Sequence, residues 1–135
     1  MHRIEKKFTV PIGHRLSKHK GRCKNIHGHN FTILVGLKKN VLNDNDMVMD
    51  FSELKKIVNE IIDEWDHCTL LNEEDSDLIE TFSDMRCIAF PFDPTAERLS
   101  RVLFETISQR LTMPIQIDYV TMYENENSKA TYSLD

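Results

Sequence analysis

The chain reads as an α+β domain, an antiparallel β-sheet with two main helices on one of its faces. Alternating apolar residues recur near both ends of the chain, and two stretches between them carry the 3.6-residue apolar period of amphipathic helices. Strands that run together and flank helices, rather than alternating with them, favour antiparallel pairing. A chain of 135 residues, 40% hydrophobic and 29% charged, is long enough and apolar enough to bury one core. Residues 1–135 are therefore expected to form a single domain.

Each element has its own signal. Residues 4–10 are strand-like, with Phe8 and Val10 on one face. Pro11 and Gly13 interrupt the pattern just before His14, which predicts an edge or a bulge there. Residues 30–38 give a second strand. Its Phe31, Ile33, Val35 and Leu37 share a face in register with His27 and His29, and Thr32, Leu34 and Gly36 lie opposite. Asn43-Asp44-Asn45-Asp46 is a dense turn signal before Met47-Val48-Met49. Asp50 and Glu53 have the form of a capping box, and Leu54, Ile57, Val58, Ile61, Ile62 and Trp65 follow as one core-facing stripe.

The second half is read in the same way. Residues 73–84 are acidic, with Leu78, Ile79 and Phe82 at the spacing of a short helix. Residues 85–90 suit a short strand, stopped by Pro91 and Pro94. Thr95 is placed to cap a helix with Glu97 in its first turn, and Leu99, Val102, Leu103, Ile107 and Leu111 make its stripe. Thr112-Met113-Pro114 ends it. Residues 115–123 and 130–134 form a closing hairpin around a turn at 124–128.

Composition narrows the function. A formal net charge of -5 and a pI near 5.7 argue against a general nucleic-acid binder. No stretch approaches the ~20 apolar residues of a membrane span, and the N-terminus lacks the apolar core of a secretory signal. Three cysteines, Cys23, Cys68 and Cys87, form no C-x-x-C pair and fit reduced thiols, so a cytoplasmic location is expected. Residues 15–24 concentrate positive charge, as either a solvated loop or a seat for an anionic substrate.

The chemistry gathers in Cys23-Lys24-Asn25-Ile26-His27-Gly28-His29-Asn30-Phe31. In an extended strand His27 and His29 project from one face, with only glycine between them. With His14 they suit a tetrahedral zinc whose fourth position stays open to water or substrate, although imidazole is not exclusive to zinc. Cys23 has two available roles. As a fourth ligand it closes the site, and as a thiolate beside the metal it is a base or nucleophile. Asp66-His67 also has two readings, as charge at a helix exit or as half of an acid–base relay.

Together these motifs resemble the 6-pyruvoyl-tetrahydropterin synthase family, and within it the bacterial 6-carboxytetrahydropterin synthase branch of the queuosine pathway. The anchors are Gly13-His14-Arg15-Leu16, Cys23-x-x-x-His27-Gly28-His29-Asn30-Phe31, Met49-Asp50-Phe51, Asp66-His67, Pro94-Thr95-Ala96-Glu97 and Glu124. The short gap between Cys23 and His27 is what leans toward the carboxy branch. The resemblance implies the tunnelling fold, with small sheets from several subunits joined into a barrel, typically of a hexamer. It implies zinc on His14, His27 and His29, catalysis by Cys23 with Asp66 and His67 supplied across a subunit interface, and substrate contacts from Glu124 and Thr95. The implied substrate is 7,8-dihydroneopterin triphosphate, giving 6-carboxy-5,6,7,8-tetrahydropterin, acetaldehyde and triphosphate. The sister pyruvoyl activity and a non-catalytic pterin- or zinc-binding member are the alternatives. Two departures stand out: Val10-Pro11-Ile12-Gly13 leads to the first histidine where the family has a Phe-x-Ala-Ala-like approach, and residues 73–93 are longer than in the short bacterial enzymes.

Overall fold

A computed structural model describes all residues 1–135. Six strands form one sheet: β1 (His2–His14), β2 (His27–Lys39), β3 (Cys68–Asn72), β4 (Cys87–Phe90), β5 (Gln116–Asn125) and β6 (Ser128–Tyr132). Three helices join them: α1 (Phe51–Ile62), α2 (Ser76–Thr81) and α3 (Ala96–Arg110). The spatial order is β4-β3-β1-β2-β5-β6.

The sheet is mixed, not wholly antiparallel as the sequence pattern predicts. β1, β2, β5 and β6 pair antiparallel, but β3 runs parallel to β1 and β4 parallel to β3. The reason lies in the connections. The chain leaves β2, crosses through α1 and re-enters beside β1, and residues 73–86 with α2 make a second crossover. Parallel pairing needs such crossovers, and α2 is too short for periodicity to reveal one clearly.

The predicted bulge near Pro11 is absent. β1 pairs β2 without interruption from His2↔Lys39 to His14↔His27. In a strand the N and C=O of one residue point to the same side. The Pro11 carbonyl accepts from the His67 amide at 2.9 Å, so the proline nitrogen faces that same side, just ahead of where β3 pairing begins at Ile12. The missing N–H therefore costs no ladder bond. An irregularity falls instead between Gly36 and Leu37 against β5, where the Tyr119 ring lies so close over Gly36 that a β-carbon would sit 2.3 Å from it.

Core-facing parity holds as predicted. Phe8, Val10 and Ile12 of β1 and Phe31, Ile33, Val35 and Leu37 of β2 are buried, joined by Leu54, Ile57, Val58 and Ile62 of α1 and Leu99, Leu103 and Ile107 of α3. Each such side chain contributes roughly 1.5–3 kcal/mol by leaving water. The Asp50 carboxylate caps α1 by accepting from the Ser52 amide and hydroxyl, and Thr95 Oγ1 caps α3 by accepting from the Arg98 amide at 3.1 Å. α1 stops at Ile62, before Trp65, yet Trp65 stays buried in the following turn with its ring 6.0 Å from that of Phe90. The final turn is tighter than the sequence predicts, so Glu124 lies on β5 and not in the turn.

Candidate metal centre and its surroundings

The β1–β2 register decides where the histidines meet. His14 pairs directly with His27, and Ile12 with His29, at the end of the hairpin where the core face opens. The ring centroids are 4.5 Å (His14–His27), 5.2 Å (His14–His29) and 4.9 Å (His27–His29) apart. One nitrogen from each lies within 4.8 Å of the other two, a spacing that three ligands of one ion require. His14 Nδ1 donates to the Pro94 carbonyl at 2.8 Å, and His27 Nδ1 donates to the Asn25 carbonyl at 2.8 Å. Those bonds set the tautomer and leave each Nε2 with a free lone pair. The Nε2 of His14 is buried with no hydrogen-bond partner in the protein. Such an orphaned acceptor is costly, and a metal ion bound there would satisfy it.

Protonation favours the same use. Burial first, helped by the neighbouring His27 and His29 and opposed by the Pro94 bond, lowers the pKa of His14 to about 4. His29 is also lowered, first by burial, with the Glu124 carboxylate pulling the other way. Neutral imidazoles at neutral pH are what a metal needs. His14 is fully buried while His27 and His29 are partly exposed, so the cluster has a closed back and an open front.

The remaining predicted residues are distributed around this centre. Cys23 is a free thiol, half-buried in a short 3-10 turn (Arg22–Lys24), and is not one of the clustered ligands. Glu124 lines a cleft of about 360 Å³ with Ala96, Glu97 and Lys129. Thr95 spends its hydroxyl oxygen on the α3 cap. Asp66 and His67 form a pair of their own, Oδ1 to Nδ1 at 2.5 Å, and neither side chain bonds to Cys23 or to the three histidines. Within one chain, then, the histidines converge and the Asp66–His67 pair stands apart.

The family described as 6-pyruvoyl tetrahydropterin synthase matches residues 3–135. The chain belongs to that family. A relative from Aquifex aeolicus named 6-carboxy-5,6,7,8-tetrahydropterin synthase is 30% identical over 97% of this chain and 90% of its own length. One of the same name from Haemophilus influenzae is 30% identical over 98% of this chain and 99% of its own. Among solved structures, the Caenorhabditis elegans 6-pyruvoyl tetrahydropterin synthase superposes with a TM-score of 0.75 at 23% identity, covering 99% of this chain and 96% of that one. An uncharacterized Wolinella succinogenes protein gives a TM-score of 0.87 at 22% identity, covering 99% and 98%. These two likenesses concern the fold.

One feature of this 6-pyruvoyl tetrahydropterin synthase family member escapes sequence reading. The segment running from His14 to Cys23 is stapled to the long 72–93 region. Asp93 accepts from Ser17 Oγ at 2.6 Å, the Lys18 amide at 2.9 Å and Asn72 Nδ2 at 3.1 Å. Arg15 bridges the Lys24 carbonyl and Asp75 Oδ1, both at 2.6 Å. Burial raises the Asp93 carboxyl, but the bonds from Ser17, Lys18 and Asn72 more than reverse it and hold it below its ordinary value. Apart from the Arg15–Lys24 bond within the loop, these partners lie 21 to 76 positions apart, so no spacing rule points to the staple. Asp93→Ala is expected to lower stability by about 1–3 kcal/mol by stranding those donors, read as a fall in denaturation midpoint. Faster proteolysis within residues 15–24 should accompany it.

Proposed function

We propose that the protein is a zinc-dependent enzyme converting 7,8-dihydroneopterin triphosphate to 6-carboxy-5,6,7,8-tetrahydropterin, with release of acetaldehyde and triphosphate. The observation that carries the metal half of this reading is the three-histidine cluster with its buried, partnerless His14 Nε2. The names of the relatives from Aquifex aeolicus and Haemophilus influenzae support the carboxy product.

In this reading His14, His27 and His29 hold the zinc, and Cys23 stays outside the ligand set. Zinc bound there supplies Lewis-acid polarisation of a substrate oxygen, which makes the adjacent C–H more acidic. Cys23 moves the proton at the substrate side chain. Asp66 orients His67 through its Nδ1, and the pair reaches the site of a neighbouring subunit, since within one chain it does not meet the cluster. Glu124 accepts hydrogen bonds from the guanidine-like edge of the pterin, a pairing that suits a carboxylate. Thr95 supports the same end of the ring from the start of α3. Residues 18–24 carry the positive charge for the triphosphate. The whole chain works as one domain in a cytoplasmic homohexamer, with a small-molecule partner and neither nucleic acid nor membrane. No helix is long and apolar enough to cross a membrane.

The deciding experiment incubates zinc-loaded protein with 7,8-dihydroneopterin triphosphate and identifies the products. Acetaldehyde with a carboxylated pterin is expected. Pyruvoyl product without acetaldehyde moves the assignment to the sister activity, and no turnover of any dihydropterin leaves a binding protein.

A further inference from the structure

We propose that Arg86 is a positioning residue for the Asp66–His67 pair, an inference that rests on the acid–base role proposed above for that pair. The turn that carries the pair closes with its own backbone bonds, from the Trp65 and Asp66 amides to the Ile62 carbonyl and from the Cys68 amide to the Trp65 carbonyl. The carbonyls of Asp63, Glu64 and Asp66, however, accept from no backbone amide. α1 ends with no basic residue in its last turn, and Asp63 and Glu64 follow, so negative groups stand at the negative end of the helix. His67 has a φ of 55°, in the left-handed region that non-glycine residues enter at a cost. Its side chain is 79% exposed, so no packing within the protomer aims the ring. Asp66 holds the ring through Nδ1, so the direction of the pair as a unit comes from the backbone beneath both residues.

Arg86, the residue just before β4, supplies that constraint. Its Nε donates to the Asp66 carbonyl at 2.9 Å, and its Nη2 donates to the carbonyls of Asp63 at 2.8 Å and Glu64 at 3.1 Å. Its own carbonyl accepts from the Thr69 amide at 3.0 Å. One residue therefore ties both flanks of His67, while the His67 amide is fixed separately on the Pro11 carbonyl of β1. A planar guanidinium can serve three carbonyls at once, which a lysine ammonium on a flexible stem does far less well. The same contacts set a positive charge just past the C-terminal end of α1, where the helix dipole is negative. Arg86 touches no reacting atom in this arrangement. It acts through the peptide that carries Asp66 and His67, and it brings the long 73–93 region into the design of the site.

The test compares wild type, Arg86→Ala and Arg86→Lys, each also in a His67→Ala background. Arg86→Ala should lower kcat by about tenfold or more, since small misplacements of a catalytic group are costly. KM should stay within about twofold, because substrate binding does not use the pair. Amide hydrogen exchange over residues 63–69 should speed up while β1 and β2 stay protected. Arg86→Lys should fall between the two, and millimolar guanidinium chloride should restore part of the kcat of Arg86→Ala. In the His67→Ala background the Arg86 substitutions should cost nothing further. Equal losses with and without His67, or unchanged exchange over 63–69, overturn the inference. If the wild type turns over no pterin, the functional reading fails on its own, and exchange over 63–69 decides whether Arg86 holds the turn.

Discussion

Cys23→Ala should lose turnover by about three orders of magnitude while the protein keeps its metal. The cluster is complete without the thiol: one nitrogen each from His14, His27 and His29 lies within 4.8 Å of the others, and Cys23 is not among them. Cys23 sits instead on a separate turn, where its carbonyl accepts from the Leu16 amide at 2.8 Å and its side chain is free. That turn is held by the Arg15 and Asp93 contacts, so removing a single sulfur should leave the loop in place. Metal analysis and product formation, measured on the same preparation, separate the two roles. Loss of metal along with activity would make Cys23 a ligand and the site a closed, structural one.

Acid should destabilise the metal-free protein through His14. An unfolded histidine titrates near its ordinary value of 6.5, whereas burial lowers folded His14 to about 4. Between those values the unfolded chain binds more protons than the folded one, so stability rises with pH across the window. The contribution is present in full above pH 6.5 and is lost as pH falls toward 4. A shift from 6.5 to about 4 amounts to roughly 3 kcal/mol. His29, lowered in the same direction by burial, adds to the slope with the same sign. Chelator-treated protein, unfolded in denaturant at a series of pH values, should show this loss. His14→Gln, which carries no titrating proton and can still donate to the Pro94 carbonyl, should flatten it. An unchanged slope in that variant would place the titration elsewhere.

Much of the fold is legible in the chain because burial on one side of a strand or helix leaves a period in the sequence. The alternation from Phe31 to Leu37 and the stripes of α1 and α3 all face the core as their spacing requires. The caps at Asp50 and Thr95 are equally local, each a side chain reaching a backbone amide within its own first turn. The parallel pairing of β3 and β4 is not legible in this way. A five-residue strand such as Cys68–Asn72 is too short to show a period, and its direction depends on where a crossover returns it.

The proline approach to His14 teaches a related lesson. A missing N–H breaks a strand only if that N–H faces a partner, and at Pro11 it faces the side where β3 has not yet begun. Residue type announces the absent donor. Neighbouring strands determine whether it matters.

The candidate site divides along the same line. His27 and His29 share a face by strand parity alone, two residues apart, and chemistry-bearing residue types at close spacing single out Cys23 and Asp66-His67 as well. Bringing His14 onto His27 requires the full β1–β2 register, and the carbonyl that orients His14 comes from Pro94, distant in sequence. The clasp of Arg86 on the Asp66–His67 turn and the staple on Asp93 likewise join remote segments. Strand parity and helical period are properties of neighbouring residues, so they are written locally. Hydrogen bonds between remote segments exist only once packing has brought those segments together, and here they aim the groups that the local pattern names.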